Sequence, residues 1–168
     1  MNKTRWIVVI AAAVVLASGL ALLQFGSYVG GPVPTVGVET VARTIEEPAA
    51  KAKPADELPM LLVDVRSQKE IDVSMIPGAV TRDEFERQAQ QYSEQYRIVP
   101  YCTVGARSKA YTRELRERGI DAVNFEGSII GWVEEGLPLV TRDGKPTRRV
   151  HTWSRAFEVP DSYVQVTD

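Results

Sequence analysis

The chain is poor in the residues that build disulfides and metal centres. Of its 168 residues, only Cys102 is a cysteine and only His151 is a histidine. A single cysteine excludes an intramolecular disulfide and a metal cluster held by several cysteines. His151 lies far along the chain, and no neighbour in sequence supports it as a ligand or a base. We therefore expect no metal site.

The chain also lacks an excess of charge of either sign. Lysine and arginine number 20, aspartate and glutamate number 22, and the net charge is −2. This balance gives no general electrostatic reason to bind nucleic acid, and we expect no nucleic-acid partner. The composition, 44% hydrophobic and 25% charged, is typical of a globular protein, and the length suits one domain with appendages.

A long uncharged run follows the first residues of the chain. Lys3 and Arg5 precede it, it extends over residues 6–25, and the next charged residue is Glu39. Twenty helical residues rise about 30 Å, the thickness of a bilayer's hydrocarbon core. We predict a cytoplasmic N-terminus (1–5), a transmembrane anchor (6–25) and a domain on the extracytoplasmic, periplasmic side. A cleaved signal peptide is the alternative, and it also exports the domain to the periplasm.

The rest of the chain divides into a linker at 26–35, a domain at 36–141 and a C-terminal extension at 142–168. Val36–Val41 is interpreted as a short edge strand. Apolar runs predict strands at Met60–Val63, Arg97–Tyr101 and Asp121–Phe125, and helical spacing predicts helices from Thr81 to about residue 93, at 107–118 and at 128–135. In the second of these helices, Ala110, Tyr111 and Leu115 form the predicted apolar face. This alternation predicts an α/β fold whose parallel sheet is covered by helices on both faces.

Cys102 falls at the turn between a predicted strand and the helix that follows it. Free N–H groups at a helix N-terminus and the helix dipole favour a thiolate there. The loop reads Cys102-Thr103-Val104-Gly105-Ala106-Arg107-Ser108. Gly105 allows the chain to curl so that successive N–H groups converge, Arg107 adds positive charge, and Ser108 supplies a hydroxyl. The loop is a candidate site for sulfur chemistry on small anions.

Two charged residues follow the neighbouring predicted strand. The carboxyl ends of parallel strands meet at one edge of a sheet, so we expect Asp64 and Cys102 to share that edge. We interpret Asp64 as a cap of its own turn, with support of the loop as the alternative. Arg66, four residues before Glu70, is predicted to pair with it, and contact with substrate is the alternative.

Four segments together resemble a known family. They are Asp64-Val65-Arg66, Ile76-Pro77-Gly78-Ala79, the loop Cys102–Ser108, and Gly131-Trp132-Val133-Glu134-Glu135-Gly136-Leu137-Pro138. Their order and spacing are similar to those of a single-domain rhodanese, a sulfurtransferase, over about residues 36–141. The resemblance implies a sheet of about five strands and no cofactor. It also implies that Cys102 attacks thiosulfate or a similar sulfane donor and passes the sulfur, as a persulfide, to a thiol or another nucleophile.

Two differences from the family, one comparison of loop length and two alternative functions accompany this resemblance. Met75 stands where members often have histidine, and Thr103 where many have arginine, which makes the loop less cationic. Related phosphatases and arsenate reductases have one residue more between cysteine and arginine, so Cys-x4-Arg favours the sulfurtransferase branch. A persulfide carrier or sensor without useful turnover, and a phosphatase-like enzyme of oxyanions, remain as alternative functions.

The C-terminal extension interleaves basic and aromatic residues. They are Arg148, Arg149, His151, Trp153, Arg155 and Phe157. We interpret the extension as packed back on the domain, with its aromatic side inward and its arginines solvated. The alternative is a docking site for an anionic protein partner or for lipid headgroups. Trp132 is predicted to lie in the core, because it is at helical spacing from Ile129.

Overall fold

The computed structural model of the chain describes residues 32–46 and 58–167. The predicted N-terminus (1–5), the anchor (6–25) and most of the linker lie outside these residues. No helix within the described ranges is long and apolar enough to cross a bilayer.

Strands and helices alternate through the predicted domain. The elements are β1 (Thr35–Val36), α1 (Val38–Glu46), β2 (Met60–Asp64), α2 (Gln68–Val73), β3 (Val80–Thr81), α3 (Arg82–Arg87), α4 (Ala89–Gln95), β4 (Arg97–Tyr101), α5 (Ala106–Glu117), β5 (Asn124–Phe125) and α6 (Ser128–Glu134). The last elements are β6 (Leu139–Val140), β7 (Pro146–Thr147), β8 (Arg149–His151) and β9 (Val164–Val166).

The first five strands run parallel. Strand β2 lies between β3 and β4, and β1 pairs with β5. Ile98 joins the two groups, since its N–H donates to Asp121 O and its carbonyl accepts from Val123 N–H, both at 2.9 Å. The resulting strand order is β3-β2-β4-β5-β1. The predicted parallel sheet of about five strands is confirmed.

Successive residues of β2 and β4 face opposite sides of this sheet. Val63 and Ile98 pack with Phe85, Tyr111 and Leu115, which come from α3 and α5. On the other face, the core contains Leu62, Val99, Val41, Ile129 and Trp132, the last three from α1 and α6. Each fully buried aliphatic or aromatic side chain contributes about 1.5–3 kcal/mol to stability. Helices on both faces, and Trp132 in the core, are as predicted.

The predicted edge strand Val36–Val41 is wrong beyond Val36. Helix α1 begins at Val38, and Val38, Val41, Ala42 and Ile45 all contact the core. These positions follow the 3.6-residue period of a helix, and that period, more than the β-branched composition, determines the element.

Three other differences are local. The single helix predicted to run to about residue 93 is two helices, broken at Gln88, whose φ of −135° is not helical. The strand predicted at Asp121–Phe125 is confined to Asn124–Phe125. Ala110, predicted on the apolar face of α5, is exposed, while Tyr111 and Leu115 are buried.

The C-terminal extension packs back on the domain. Strand β8 pairs in parallel with β9, and Val150 is fully buried in the same core as Trp132. The hydroxyl of Tyr163 donates to Leu137 O at 2.5 Å. The predicted packing is thus present, and the four arginines of the extension are exposed. Its aromatic side is not uniformly inward, however, since Trp153 is 67% exposed.

Candidate active site

Cys102 lies where β4 ends and the turn into α5 begins. Gly105, the residue before the helix, has φ of +93°. A Cβ at this position would lie 2.8 Å from the carbonyl oxygen of Glu126. Only glycine combines this left-handed conformation with so close an approach of another backbone segment. The tight curl of the loop therefore depends on Gly105.

Polar hydrogens converge on the sulfur from inside this curl. The N–H of Gly105 lies 3.1 Å from Cys102 Sγ, the Ser108 hydroxyl 3.7 Å and the Ser128 hydroxyl 4.0 Å. Burial by itself raises the pKa of the Cys102 thiol. Hydrogen bonds from the N–H and hydroxyl of Ser108 and from the N–H groups of Val104 and Gly105 outweigh burial, and the pKa lies below its usual value. The arrangement therefore makes Cys102 a stronger acid than an ordinary cysteine.

Helix α6 holds the carbonyl side of the loop. The N–H groups of Ile129 and Ile130 donate to the carbonyls of Cys102 and Thr103 at 3.1 and 3.2 Å. The N–H of Cys102 in turn donates to Ser128 Oγ at 3.1 Å. With its carbonyls turned toward α6, the loop presents its N–H groups to the sulfur. Sequence reasoning missed Ser128, although its place after β5, at the same sheet edge, was a usable signal.

A buried carboxylate anchors Arg107. The guanidinium donates to both oxygens of Glu70 at 2.7 and 2.8 Å, and to the Thr103 hydroxyl at 2.9 Å. The Thr103 hydroxyl itself donates to Glu70 at 2.6 Å. Burial raises the pKa of Glu70, but the hydrogen bonds from Arg107, Thr103 and Ser67 hold it well below the usual range.

Glu70 was not predicted as a site residue, and its predicted pairing with Arg66 is wrong. Arg66 turns instead to Asp64, with Nε and Nη2 at 2.9 and 2.6 Å from its oxygens. Asp64 and Arg66 are two residues apart, and both side chains are fully buried. Because Arg66 is paired with Asp64, Glu70 pairs with Arg107 of the loop instead. The positive charge that Arg107 brings to the loop is thus neutralised locally.

Asp64 and Arg66 lie beneath the loop and support its base. Asp64 accepts from the N–H of Arg66 at 3.0 Å, which is the predicted turn cap, and from the Tyr101 hydroxyl at 2.6 Å. Arg66 also donates to Ser74 O at 2.6 Å, and Tyr101 accepts from Ile76 N–H at 3.2 Å. These bonds join the ends of β2 and β4 to residues 74–76, and neither charged residue lines the cavity at Cys102.

Cys102 opens onto a cavity of about 360 Å³. The loop forms one wall with Thr103, Val104, Ala106 and Arg107, and the C-terminal extension forms the other with Trp153 and Phe157. All six predicted loop residues thus surround Cys102, four of them along the cavity and Gly105 and Ser108 at the sulfur. Sequence reasoning did not assign Trp153 and Phe157 to the site.

The loop that bears these two aromatic residues is held in place. The amide of Gln165 in β9 donates to the carbonyl of Phe157 at 2.6 Å, and Trp153 N–H donates to His151 Nδ1 at 3.1 Å. Trp153 has φ of +62°, a conformation that bulky residues rarely adopt. His151 is buried and supports this turn, which gives the only histidine a structural place.

Comparison with known proteins agrees with this geometry. A model of the rhodanese-like domain matches residues 47–135, more than half of the chain. A protein named sulfurtransferase from Allochromatium vinosum is 33% identical over 103 residues, which are 60% of this chain and 96% of that protein.

Two solved structures share the fold. One, of a rhodanese-related protein from Thermoplasma volcanium, is 22% identical with a TM-score of 0.50 and matches 64% of this chain and 97% of its own. The other, of a thiosulfate sulfurtransferase from Pseudomonas aeruginosa, is 19% identical with a TM-score of 0.53 and matches 67% and 20%. The chain belongs to the rhodanese-like domain family. At the level of the family, its relatives place it among the sulfurtransferases.

Proposed function

We propose that this protein transfers sulfane sulfur from thiosulfate or a similar donor to a nucleophilic acceptor through a persulfide on Cys102. The observation that supports this most is the set of groups that donate to Cys102 Sγ, the N–H of Gly105 and the hydroxyl of Ser108 among them. They lower the pKa of a thiol that lines an open cavity. A thiolate is the form that attacks sulfur.

The first step needs no general base. The thiolate of Cys102 attacks the outer sulfur of the donor, a new S–S bond forms, and the donor's own bond to that sulfur breaks. The bonding pair leaves with a stable anion, such as sulfite from thiosulfate. Once the thiolate has formed, no proton has to move, which fits a site that lowers the pKa of its nucleophile.

The second step returns the enzyme to its starting state. The outer sulfur of the Cys102 persulfide is anionic, and the same convergent N–H groups suit it. A thiol or another nucleophile attacks that sulfur through the cavity, and the electron pair of the S–S bond returns to Cys102. The loop thus serves both as activator of the nucleophile and as cradle of the intermediate.

Two features favour this reaction over hydrolysis of a phosphate ester. The loop has four residues between Cys102 and Arg107, which leaves a small ring. In addition, Glu70 and Thr103 accept three of the five N–H donors of Arg107, which leaves fewer donors for a tetrahedral anion. A phosphatase activity lost in Cys102→Ser would contradict the proposal.

Turnover is tested with the full-length protein, thiosulfate as donor and cyanide as acceptor. We expect thiocyanate to form, and Cys102→Ser to abolish it. A stable persulfide on Cys102 with negligible thiocyanate would instead favour the carrier or sensor, in which the loop holds sulfur for a partner protein. Absence of both the persulfide and thiocyanate would exclude thiosulfate as the donor.

We also propose that residues 6–25 anchor the domain to the membrane on its periplasmic side. The support is the uncharged run itself and the basic residues before it. Fractionation of cells that make the full-length protein tests this. We expect detergent, but not alkaline carbonate, to release the protein, and external protease to digest the domain in spheroplasts. A soluble periplasmic product that lacks the run would show cleavage, and protection from protease would contradict export.

A further inference from the structure

The charge of the cavity differs from what a small dianion requires. Arg107 is the one charged side chain among the described residues that line it. Its guanidinium forms a two-point ion pair with Glu70, whose carboxylate is ionised at all ordinary pH values. Thr103 adds a hydroxyl and no charge, and that hydroxyl also donates to Glu70. The cavity thus offers little net positive charge beyond the N–H groups around Cys102 Sγ.

The walls of the cavity are apolar and larger than a small anion requires. Val104, on the loop, is 45% exposed, and Trp153, on the extension, is 67% exposed. These are two of the four large hydrophobic residues that are exposed in the described part of the chain, and both face this cavity. The volume is about 360 Å³, whereas about 150 Å³ suffices for a benzene ring. Exposed apolar side chains gathered at one site indicate a ligand with apolar surface.

The aromatic wall is a built feature of the extension. Gln165 fixes the carbonyl of Phe157, and His151 accepts from the N–H of Trp153. Trp153 keeps φ of +62°, a conformation in which glycine or asparagine would be less strained. Because the side chain is mostly exposed, it contributes little to the core in return. Strain of this kind persists mainly where the residue binds something.

We infer that the site takes its sulfur from an organic sulfane donor with an apolar, ring-sized body, in preference to inorganic thiosulfate. Trp153 and Phe157 are the residues that bind that body. This inference rests on the proposed function, because it concerns the donor of the same Cys102. Organic thiosulfonates and organic persulfides both belong to this class of donor.

The reaction balances for a thiosulfonate. Cys102 thiolate attacks the terminal sulfur of R–SO2–S⁻, the Cys102 S–S bond forms, and the bond between that sulfur and the sulfonyl sulfur breaks. The electron pair leaves with R–SO2⁻, a sulfinate, and the enzyme carries a persulfide anion. Cyanide then removes the outer sulfur as thiocyanate and restores the thiolate. No oxidant or reductant is needed.

Three donors separate the contribution of the donor's charge to the rate from that of its apolar, ring-sized part. Benzenethiosulfonate and methanethiosulfonate carry the same reacting group and the same charge but differ in the size of their apolar group. Thiosulfate is a dianion with no apolar group. We would measure rates of persulfide formation on the full-length protein by mass spectrometry. Each rate is divided by the rate of the same donor with free cysteine, which removes the difference between leaving groups. We expect a corrected preference for the benzene compound over both other donors of about tenfold or more, as burial of a ring predicts.

Matched variants assign that preference to the aromatic wall. We expect Trp153→Ala and Phe157→Ala each to lower it severalfold while the methanethiosulfonate rate changes by less than about twofold, since only the body contacts them. Val164→Ala removes another exposed apolar side chain of the extension and should leave all rates unchanged. Thermal midpoints check that the variants are folded.

The outcomes distinguish the inference from the proposed function. Sulfur on Cys102 from all three donors without a corrected preference for the ring would overturn the inference and leave sulfur transfer intact. A preference that survives both alanine variants, or an equal loss with methanethiosulfonate, would overturn the role of the aromatic wall. No sulfur on Cys102 from any donor would sink both proposals.

Discussion

Glu70 and Arg107 meet in a two-point ion pair although they are 37 residues apart in the sequence. Glu70 is 2% exposed and Arg107 is 44% exposed, so the buried partner is the carboxylate. The pair ties α2 to the first turn of α5 and so holds the loop that contains Cys102. The arginine of the loop is therefore a structural clamp as well as a charge.

Replacing Glu70 with glutamine should destabilise the protein and loosen the loop. We expect a loss of about 1–3 kcal/mol in the free energy of unfolding at pH 7, since hydrogen bonds to charged groups are of that size. The folded pKa of Glu70 lies well below its unfolded value of about 4.3. The stability that ionised Glu70 contributes is therefore complete above about pH 5 and is lost as pH falls toward the folded pKa.

Urea unfolding of wild type and Glu70→Gln from pH 7 to pH 3 measures this. The difference between the two proteins should be constant down to about pH 5 and shrink below it. The exposed Glu94 provides the control, because Glu94→Gln should show no such difference at any pH. A difference for Glu70→Gln that is independent of pH would contradict the account of this ion pair.

The Ser108 hydroxyl should help to keep Cys102 ionised. Ser108→Ala removes one of the groups that lower the pKa of the thiol, so the pKa should rise. Alkylation by iodoacetamide follows the thiolate, and its rate at neutral pH should fall by about two- to tenfold, as expected for one net hydrogen bond. The measurement is the alkylation rate from pH 5 to 10. Ser93→Ala, at a remote hydroxyl, should leave the midpoint unchanged.

The curl of the loop should fail if Gly105 gains a side chain. In Gly105→Ala, the left-handed conformation costs about 1–2 kcal/mol in the free energy of folding. In addition, the new Cβ clashes with the carbonyl oxygen of Glu126, from which it would lie only 2.8 Å away. We expect persulfide formation to fall by about tenfold or more, because the N–H groups no longer converge on the sulfur.

Gly119 offers a matched control at the other end of the same helix. Its φ is +81°, and a Cβ there would meet nothing within 4 Å. Gly119→Ala should therefore be destabilised by a similar amount, because alanine is strained in the left-handed conformation. Its rate of persulfide formation should not change. Equal rates for the two variants would show that the approach to Glu126 has no bearing on the site.

The side chain of Trp153 should contribute little to the stability of the fold. Asparagine tolerates φ of +62° better than tryptophan, and the side chain that is lost is 67% exposed. We expect Trp153→Asn to leave the free energy of unfolding unchanged or to raise it by up to about 1 kcal/mol. Chemical denaturation tests this, and a clear loss of stability would mean that Trp153 is kept for packing.

The parts of the fold that depend on local pattern could be predicted from the sequence. Strand β4 occurs at the predicted residues, Arg97–Tyr101, because they contain the apolar run Ile98-Val99. Helix α5 begins at Ala106, one residue before its predicted start. The start was predictable because the turn has to lie between strand β4 and the helix, where Gly105 is the only glycine. The position of Cys102 followed from these two elements.

The contacts that depend on distant segments could not be predicted. Glu70 lies four residues after Arg66, which predicted a pair between them, and only the folded chain shows that Arg66 is already held by Asp64. The approach of Trp153 to the loop depends on the pairing of β8 with β9, two short strands whose partners no local pattern reveals. The apolar wall of the site was therefore missed, although the chemistry of the loop was not.

The central claim is that Cys102 accepts sulfane sulfur. Its most direct test is the intact mass of the full-length protein after incubation with thiosulfate, and separately with benzenethiosulfonate, beside the Cys102→Ser variant. We predict a gain of one sulfur atom, located by peptide mapping at Cys102, removed by cyanide as thiocyanate and absent from the variant. An unchanged mass with both donors, or the same gain in Cys102→Ser, would contradict it.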